Sequence, residues 1–477
     1  MADLKNIPDL EAFRIRDLVL SRQISPVEVV EATLERIEKN NATINAICTL
    51  DAERSLDTAK SLEKKLSQNP GDIGSLAGLP VGIKDTTDTA GLRTTYGSPL
   101  YRDHVPVKDA EVVSRVRKAD GIVIGKTNTP EFATGGVTDN DVFGPTCNPW
   151  NTEKISGGST GGGAAGLASG MFALATGTDH GGSLRQPASL CGVVGLRPSV
   201  GLVPGIPSSH YWQTMSVDGP MARSAVDVAL ILEAISGVTQ AYPISTNPGF
   251  GNIVEQVFRY SGDGKRFAYI GEICDVGIDP GIEKICRTAA NKLSATGAEI
   301  EEIEFDLSEA REVFITLRGQ MMVTTQYKHL ERIDELGENL AGNIRLGLGQ
   351  TTEQLAAAEN ARGQLMERFI ELFRRYDAVL TPCVPIHAFG INDGAPTTIG
   401  DKPMKSYIDW MAPTFVLSLF GLPTACAPAG LTTENMPTGM QIVGPRLADA
   451  EILGIAGLLQ QQVDIGSCFD SNDSLTR

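Results

Sequence analysis

From Ser156 the chain runs Gly157-Gly158-Ser159-Thr160-Gly161-Gly162-Gly163-Ala164-Ala165-Gly166 and keeps to small residues, Leu167 apart, as far as Gly170. No other feature restricts the fold as much. Glycine in a helix loses more backbone entropy than alanine does, so such a run is stable only where close packing offsets that loss. The pattern predicts a glycine-rich turn and then an Ala/Gly helix, Gly162 to Gly170, lying tightly against a sheet or another helix. Phe172-Ala-Leu-Ala-Thr-Gly-Thr178 follows as a strand that delivers the chain to Asp179-His180-Gly181-Gly182-Ser183.

The rest of the sequence alternates. Two helices are expected over 8–40, the second opened by a cap-like Ser25 with Pro26 in its first turn and with Val27, Val30, Leu34 and Ile37 at helical spacing. A third covers 51–66, and Leu79 to Lys84 is short and β-prone. Residues 109–119 read as a helix, and Gly121 to Gly125 as a buried strand. After a turn at Gly219-Pro220 come a helix over 224–236, a strand near 267–271, a helix over 281–296 and a mostly helical stretch over 308–376. Residues 377–385 read as a strand, 386–407 as a long loop, and 411–430 as core. Strands alternating with helices throughout point to an α/β fold. No repeat or polar linker divides the chain, so 1–477 is expected to be one domain. Within it, 1–66 form N-terminal helices, 78–204 a core that carries the motifs, and 308–376 a helical cap.

Composition sets the class of partner. A net charge of −17 opposes contact with nucleic acid. No apolar stretch is long enough to cross a bilayer, and the Met1-Ala2-Asp3-Leu4-Lys5-Asn6 start lacks the basic and apolar regions of a secretory signal. The eight cysteines are widely spaced, without a CxxC pair or a Cys/His cluster, so reduced thiols in a cytoplasmic protein are expected and no metal or other cofactor is implied.

Three short segments carry residues suited to one chemistry. Lys84 ends the apolar run Leu79-Pro80-Val81-Gly82-Ile83; desolvation there lowers a lysine pKa toward neutrality, as a lysine base requires. The plainer reading is a lysine snorkelling from a strand end or paired with Asp85. Ser159 sits among glycines; the plainer reading is a helix N-cap, a role that Thr160 could fill instead. Ser183 follows Gly181-Gly182, and the N–H groups of His180, Gly181, Gly182 and Ser183 could converge on a developing oxyanion, with Asp179 and Arg185 pairing to hold the turn. The plainer reading is an ordinary glycine turn. A neutral amine can take the proton that a serine hydroxyl must lose to become a nucleophile, so one lysine and two serines suffice for amide hydrolysis.

Other glycine patterns compete. Gly161-Gly-Gly163-Ala-Ala-Gly166 satisfies GxGxxG, which would make the chain a nucleotide-binding oxidoreductase. Gly157-Gly-Ser159-Thr-Gly161 satisfies GxSxG. Both motifs need a strand immediately before them, and Asn148-Pro-Trp-Asn-Thr-Glu-Lys154 does not read as one.

Taken together the segments resemble the amidase signature family. The resemblance runs through Gly78-Leu-Pro-Val-Gly-Ile-Lys84-Asp, Gly125-Lys-Thr-Asn-Thr-Pro-Glu-Phe132, Asn148-Pro-Trp-Asn151 and the stretch from Gly157 to Pro198. It continues in Asp218-Gly-Pro-Met-Ala-Arg-Ser224, Gly421-Leu-Pro-Thr-Ala425 and Gly439-Met-Gln-Ile-Val-Gly444. It implies a large twisted mixed β-sheet sandwiched between layers of α-helices. It also implies an amidohydrolase with Ser183 as acyl-forming nucleophile, Ser159 in a cis peptide as bridge and Lys84 as base, freeing an acid and an amine or ammonia. Three departures stand out: Thr160 replaces a usual serine, His180 a usual threonine or aliphatic residue, and Arg197-Pro198-Ser199 a usual Lys-Pro-Thr. The plain reading of His180 is a solvated turn histidine.

The resemblance puts pocket residues near 203–215 and 410–415, where Tyr211, Trp212, Met215, Trp410, Met411 and Phe415 would line an apolar acyl site for aryl or bulky amides. The partner expected is therefore a small-molecule amide, with no nucleic acid or membrane and with room for a homodimer. The alternative within the family is the glutamine-hydrolysing subunit of a tRNA amidotransferase. The Tyr-Gly-Leu-Val-Ala-Phe-Ala-Ser-Ser run usual in that subunit is here Pro204-Gly-Ile-Pro-Ser-Ser-His-Tyr-Trp212, so a stand-alone amidase is favoured.

Overall fold

The computed structural model describes residues 4–468 except 248 and 250, so the ends of the expected 1–477 domain lie outside the described residues. Eleven strands share one sheet: β1 (Ile47–Leu50), β2 (Pro80–Lys84), β3 (Ile122–Thr127), β4 (Leu174–Asp179), β5 (Val194–Arg197) and β6 (Val217–Ala222), then β7 (Arg266–Tyr269), β8 (Glu299–Glu302), β9 (Ala378–Pro382), β10 (Thr424–Leu431) and β11 (Pro437–Val443). Across the sheet they run β1-β3-β2-β4-β6-β5-β10-β11-β9-β7-β8. Pairing is parallel for β2 with β3 and β4, and for β7 with β8 and β9; the other pairs, including all of the middle, are antiparallel.

Side chains alternate between two apolar layers, as strand geometry requires. Ala378 and Leu380 enter one, Val379 the other. The first layer is covered by α1 (Ala12–Leu20), α4 (Glu111–Lys118), α7 (Ala225–Ile235), α8 (Ile253–Phe258), α9 (Pro280–Lys292) and α14 (Asp449–Gln462). The second is covered by α5 (Gly161–Ala168), α6 (Arg185–Cys191), α10 (Ala310–Thr325), α12 (Thr352–Leu372) and α13 (Ala412–Ser418). Helices α2 (Pro26–Ile44) and α3 (Ala52–Gln68) reach both, and α11 (Glu338–Leu348) builds a small third cluster with Met322 of α10. The expected α/β class and the mixed sheet between helical layers are therefore present.

The glycine run has its predicted role. A Cβ on Gly162 would lie 2.3 Å from the Asn128 nitrogen and 2.5 Å from the Ala46 oxygen, and one on Gly166 would lie 2.2 Å from the Phe172 ring. Only glycine lets α5 come so close to its neighbours. The helical spacing read after Ser25 carries α2, where Ser25 and Glu28 form the full reciprocal cap.

Two readings of the sequence need correction. Val217–Ala222, read as a turn at Gly219-Pro220, is β6, a strand of the sheet interior whose Pro220 stands opposite Thr176. Proline seldom occupies such a position because it cannot donate to the ladder, and this misdirects the reading. Asn151–Ile155, read as no strand, is one, paired with Cys147–Asn148 in a ribbon separate from the main sheet. The GxGxxG run thus follows a strand after all, but not one of the parallel sheet that a dinucleotide site uses.

Candidate active site

Strand β2 is buried along its whole length between β3 and β4, and Lys84 is its last residue. The ammonium-bearing side chain is fully buried and touches three hydroxyls: Ser159 Oγ at 2.7 Å, Thr178 Oγ1 at 2.9 Å and Thr160 Oγ1 at 3.0 Å. Burial pulls its pKa down to about 7, against the opposing pull of Asp179 and Asp218. Asp85 takes no part: its Oδ2 accepts from the Thr95 amide and hydroxyl at 3.1 and 2.5 Å. Neither snorkelling nor pairing with Asp85 therefore describes Lys84.

Ser159 follows a cis peptide from Gly158 and is fully buried. Thr160 stands at the N-cap of α5 but makes no capping bond; its hydroxyl turns to Lys84 and to the Thr178 carbonyl at 3.4 Å. The expected division of labour, with Thr160 as cap, is overturned because the lysine competes for the hydroxyl.

The turn carrying Ser183 hangs from Asp179, the last residue of β4. Asp179 Oδ1 accepts the Gly182 N–H at 2.9 Å and Oδ2 the Leu184 N–H at 3.2 Å. Arg185 grips the same carboxylate through Nη2 at 2.9 Å and Nε at 3.0 Å, and Arg197 donates to the Asp179 carbonyl at 2.6 Å. Burial alone would raise the Asp179 pKa; the two guanidiniums and the amides outweigh it and hold it far below the usual carboxylate range. Arg185 goes on to the Thr414 carbonyl, Gln441 Oε1 and Ser418 Oγ at 2.7–2.9 Å, tying the turn to α13 and β11. Ser183 thus sits between two pinned amides. The Thr160 N–H donates to its carbonyl at 3.2 Å. Its hydroxyl makes no hydrogen bond among the described residues and lines a cavity of about 1080 Å³ that Ser159 also lines.

The oxyanion set needs one correction. The N–H of Gly182 is spent on Asp179, which leaves those of His180, Gly181 and Ser183 as candidates. Gly182 has φ +109°, and a Cβ there would lie 2.1 Å from Thr414 Oγ1, so glycine is required for the turn itself.

The cavity corrects the pocket residues. Phe415 and Met411 line it. Tyr211 and Trp212 stand exposed on a turn outside it, Trp212 at 70 %. Met215 and Trp410 are buried away from its wall, Trp410 edge-on to Phe389 at 5.6 Å. An aromatic wall exists but is built differently, from Phe314 of α10 stacked on Phe415 at 4.5 Å, both against Gly181. His180 is no solvated turn residue: its ring tilts against Phe314 at 5.3 Å, both ring nitrogens are buried without a partner, and burial followed by the Arg318 charge lowers its pKa to about 3.

Sequence reading missed Thr178 and Asp218. They stand opposite each other on β4 and β6, so their side chains share a face, and both line the cavity. Burial lifts the Asp218 pKa to about 7, and Lys84 counters it. The signal was the strand pairing, which no local pattern of the Gly-Pro segment revealed. No cluster of His, Cys, Asp or Glu able to hold a metal ion occurs among the described residues, no disulfide forms there, and no described helix is long and apolar enough to cross a membrane.

The amidase family model matches residues 28–453. A glutamyl-tRNA(Gln) amidotransferase subunit from Symbiobacterium thermophilum is 32% identical, over 95% of this chain and 96% of that protein. Among solved structures, a bacterial aryl acylamidase of the amidase signature enzymes superposes with a TM-score of 0.87 at 26% identity, over 95% of this chain and 96% of that one. The corresponding amidotransferase subunit from Thermotoga maritima gives a TM-score of 0.72 at 27% identity, over 97% and 96%. Family model and relatives alike extend over nearly the whole chain: the chain belongs to the amidase signature family, hydrolases that act on amide C–N bonds.

Proposed function

We propose that the protein hydrolyses a carboxylic amide through an acyl-serine intermediate, with Ser183 as nucleophile, Ser159 as proton bridge and Lys84 as base. The reading rests above all on one observation, the 2.7 Å contact of a buried lysine held near pKa 7 with the Ser159 hydroxyl. A neutral amine has two N–H groups and one lone pair. Thr160 directs its proton to the Thr178 carbonyl, so Thr160 and Thr178 suit the two N–H groups and Ser159 the lone pair.

In the first half-reaction Ser183 gives its proton to Ser159 Oγ as Ser159 passes its own to Lys84. The Ser183 oxygen bonds the carbonyl carbon, and the oxyanion takes N–H groups of His180, Gly181 and Ser183. Lys84 then returns the proton by the same route to the leaving nitrogen, the C–N bond breaks, and water repeats the path on the acyl-enzyme. The Ser159–Ser183 hydrogen bond is the link the substrate must draw closed, as catalytic hydrogen bonds often tighten only in the Michaelis complex. Asp179, Arg185 and Thr160 act as positioning residues.

Phe314 and Phe415 beside Gly181 favour an aryl or bulky apolar group on the amide, and α10 within 308–376 acts as a cap on the cavity. We read the protein as cytoplasmic, with a small-molecule amide as its partner, no nucleic acid or membrane, and room for a second copy. A second reading, a glutamine-hydrolysing amidotransferase subunit, is favoured by the 32% identity over nearly the whole chain. Purified protein with anilides, primary amides and glutamine decides between them. Anilide turnover by the protein alone supports the first; glutamine turnover that appears only with partner subunits supports the second.

A further inference from the structure

The cavity holds a cation that the reaction above does not use. Arg318, on α10 one helical turn beyond Phe314, is 8% exposed and lines the cavity. No ion pair among the described residues includes it, and its one hydrogen bond runs from Nη1 to Asn343 Oδ1. Asn343 is itself fixed, donating from Nδ2 to the Asn339 carbonyl at 2.7 Å and to Tyr407 Oη at 3.0 Å, so its oxygen is aimed at the guanidinium. The Nε and Nη2 donors are left over. A guanidinium that faces a cavity with spare donors and no counter-charge is suited to an anionic group on a ligand. On the same wall His180 presents two buried, unpartnered ring nitrogens.

We propose that Arg318 determines specificity by pairing with a carboxylate on the substrate, with His180 as a hydrogen-bonding neighbour, so that the preferred substrates are amides carrying both an apolar or aryl body and an acid group. The planar guanidinium matches a carboxylate in two parallel hydrogen bonds. A singly charged acid with an apolar body suits the site: Phe314 and Met322 stand one turn to either side of Arg318 on α10 and Phe415 stacks on Phe314, while Lys328, Asp88 and Asp218 also line the cavity, and the chain as a whole carries −17. The proposal rests on the amidase reading for the reaction, but not for the binding.

The test compares acetanilide with two carboxylated relatives, 4-acetamidobenzoate (acid on the amine side) and N-phenylsuccinamate (acid on the acyl side). One of the two should exceed acetanilide in kcat/KM by about 10–100-fold, the range for hydrogen bonds to a charged partner. In Arg318→Met that ratio should fall toward one, mainly through KM, and Arg318→Lys should keep part of it. A wild-type ratio near one, or a ratio unchanged in Arg318→Met, overturns the proposal. Binding is read apart from turnover by the melting temperature with millimolar benzoate or succinate. One of these acids should stabilise wild type and Ser183→Ala but not Arg318→Met, and inorganic phosphate should stabilise none of them. Equal shifts in wild type and Arg318→Met overturn the subsite. Carboxylate binding without any amide turnover would sink the amidase reading and leave the subsite standing.

Discussion

A lysine can accept a proton only while it is neutral, and burial brings the Lys84 pKa down to about 7, so that a large neutral fraction is present near neutral pH. In the proposed mechanism its three hydroxyl neighbours each have a defined duty. Thr178→Val keeps the shape but strips one acceptor from a buried N–H, which typically costs about 1–3 kcal/mol. We expect a drop of roughly tenfold or more in kcat/KM, measured by initial rates on an anilide, with the melting temperature showing that the fold survives. Ser183→Ala should remove acylation altogether, and a burst of released amine in single-turnover experiments would contradict the nucleophile assignment. At this scale the sequence was informative where chemistry is local. Lys84, Ser159 and Ser183 lie in segments whose glycines and apolar neighbours announce a constrained site. Gly182 shows the limit: which of four adjacent amides remains free depends on the Asp179 carboxylate beneath them.

At the scale of elements, α5 and the Ser183 turn depend on opposite devices. Helix α5 depends on the absence of side chains. Gly162→Ala would drive a Cβ into backbone at 2.3 Å and should destabilise by at least about 1–3 kcal/mol. Gly163→Ala meets only Thr160 Cγ2 at 3.0 Å and then nothing nearer than 3.7 Å, and should cost much less. Urea denaturation of the two variants checks the contrast. The turn depends instead on charge. Asp179→Ala would strand Arg185 and Arg197 in the interior, at a cost of about 3–5 kcal/mol, and release the Gly182 and Leu184 amides. Stability and activity should fall together, read by urea titration and anilide rates. The small-residue helix and the strand behind it were legible because their periodicity is local. Strand β6 was not, since its Gly-Pro reads as a turn until β4 and β5 are known to flank it.

Over the whole molecule, one sheet brings together residues from distant parts of the chain, and this is why the α/β class could be read while the pocket could not. Class follows from the alternation of strand and helix. The cavity wall follows from where α10 and α13 meet the end of β4, which no single segment records. Trp212 and Trp410, conspicuous in the sequence, face solvent and core, whereas Phe314, Arg318 and Asp218 were silent until the elements were assembled. With Lys84 as the proposed base, the same assembly makes the catalytic pH range a property of the fold. Lys84 sits below its ordinary value through burial, and the Asp218 carboxylate partly opposes the shift.

That opposition gives the sharpest test. The pH dependence of kcat/KM on a neutral anilide should show an acid limb with an apparent pKa near 7, activity being lost as the pH falls and Lys84 takes up a proton. In Asp218→Asn, which removes a charge favouring the ammonium, the limb should move to lower pH. An acid limb in the ordinary carboxylate range in wild type, or Lys84→Met protein that keeps wild-type activity, would contradict a neutral lysine as the base.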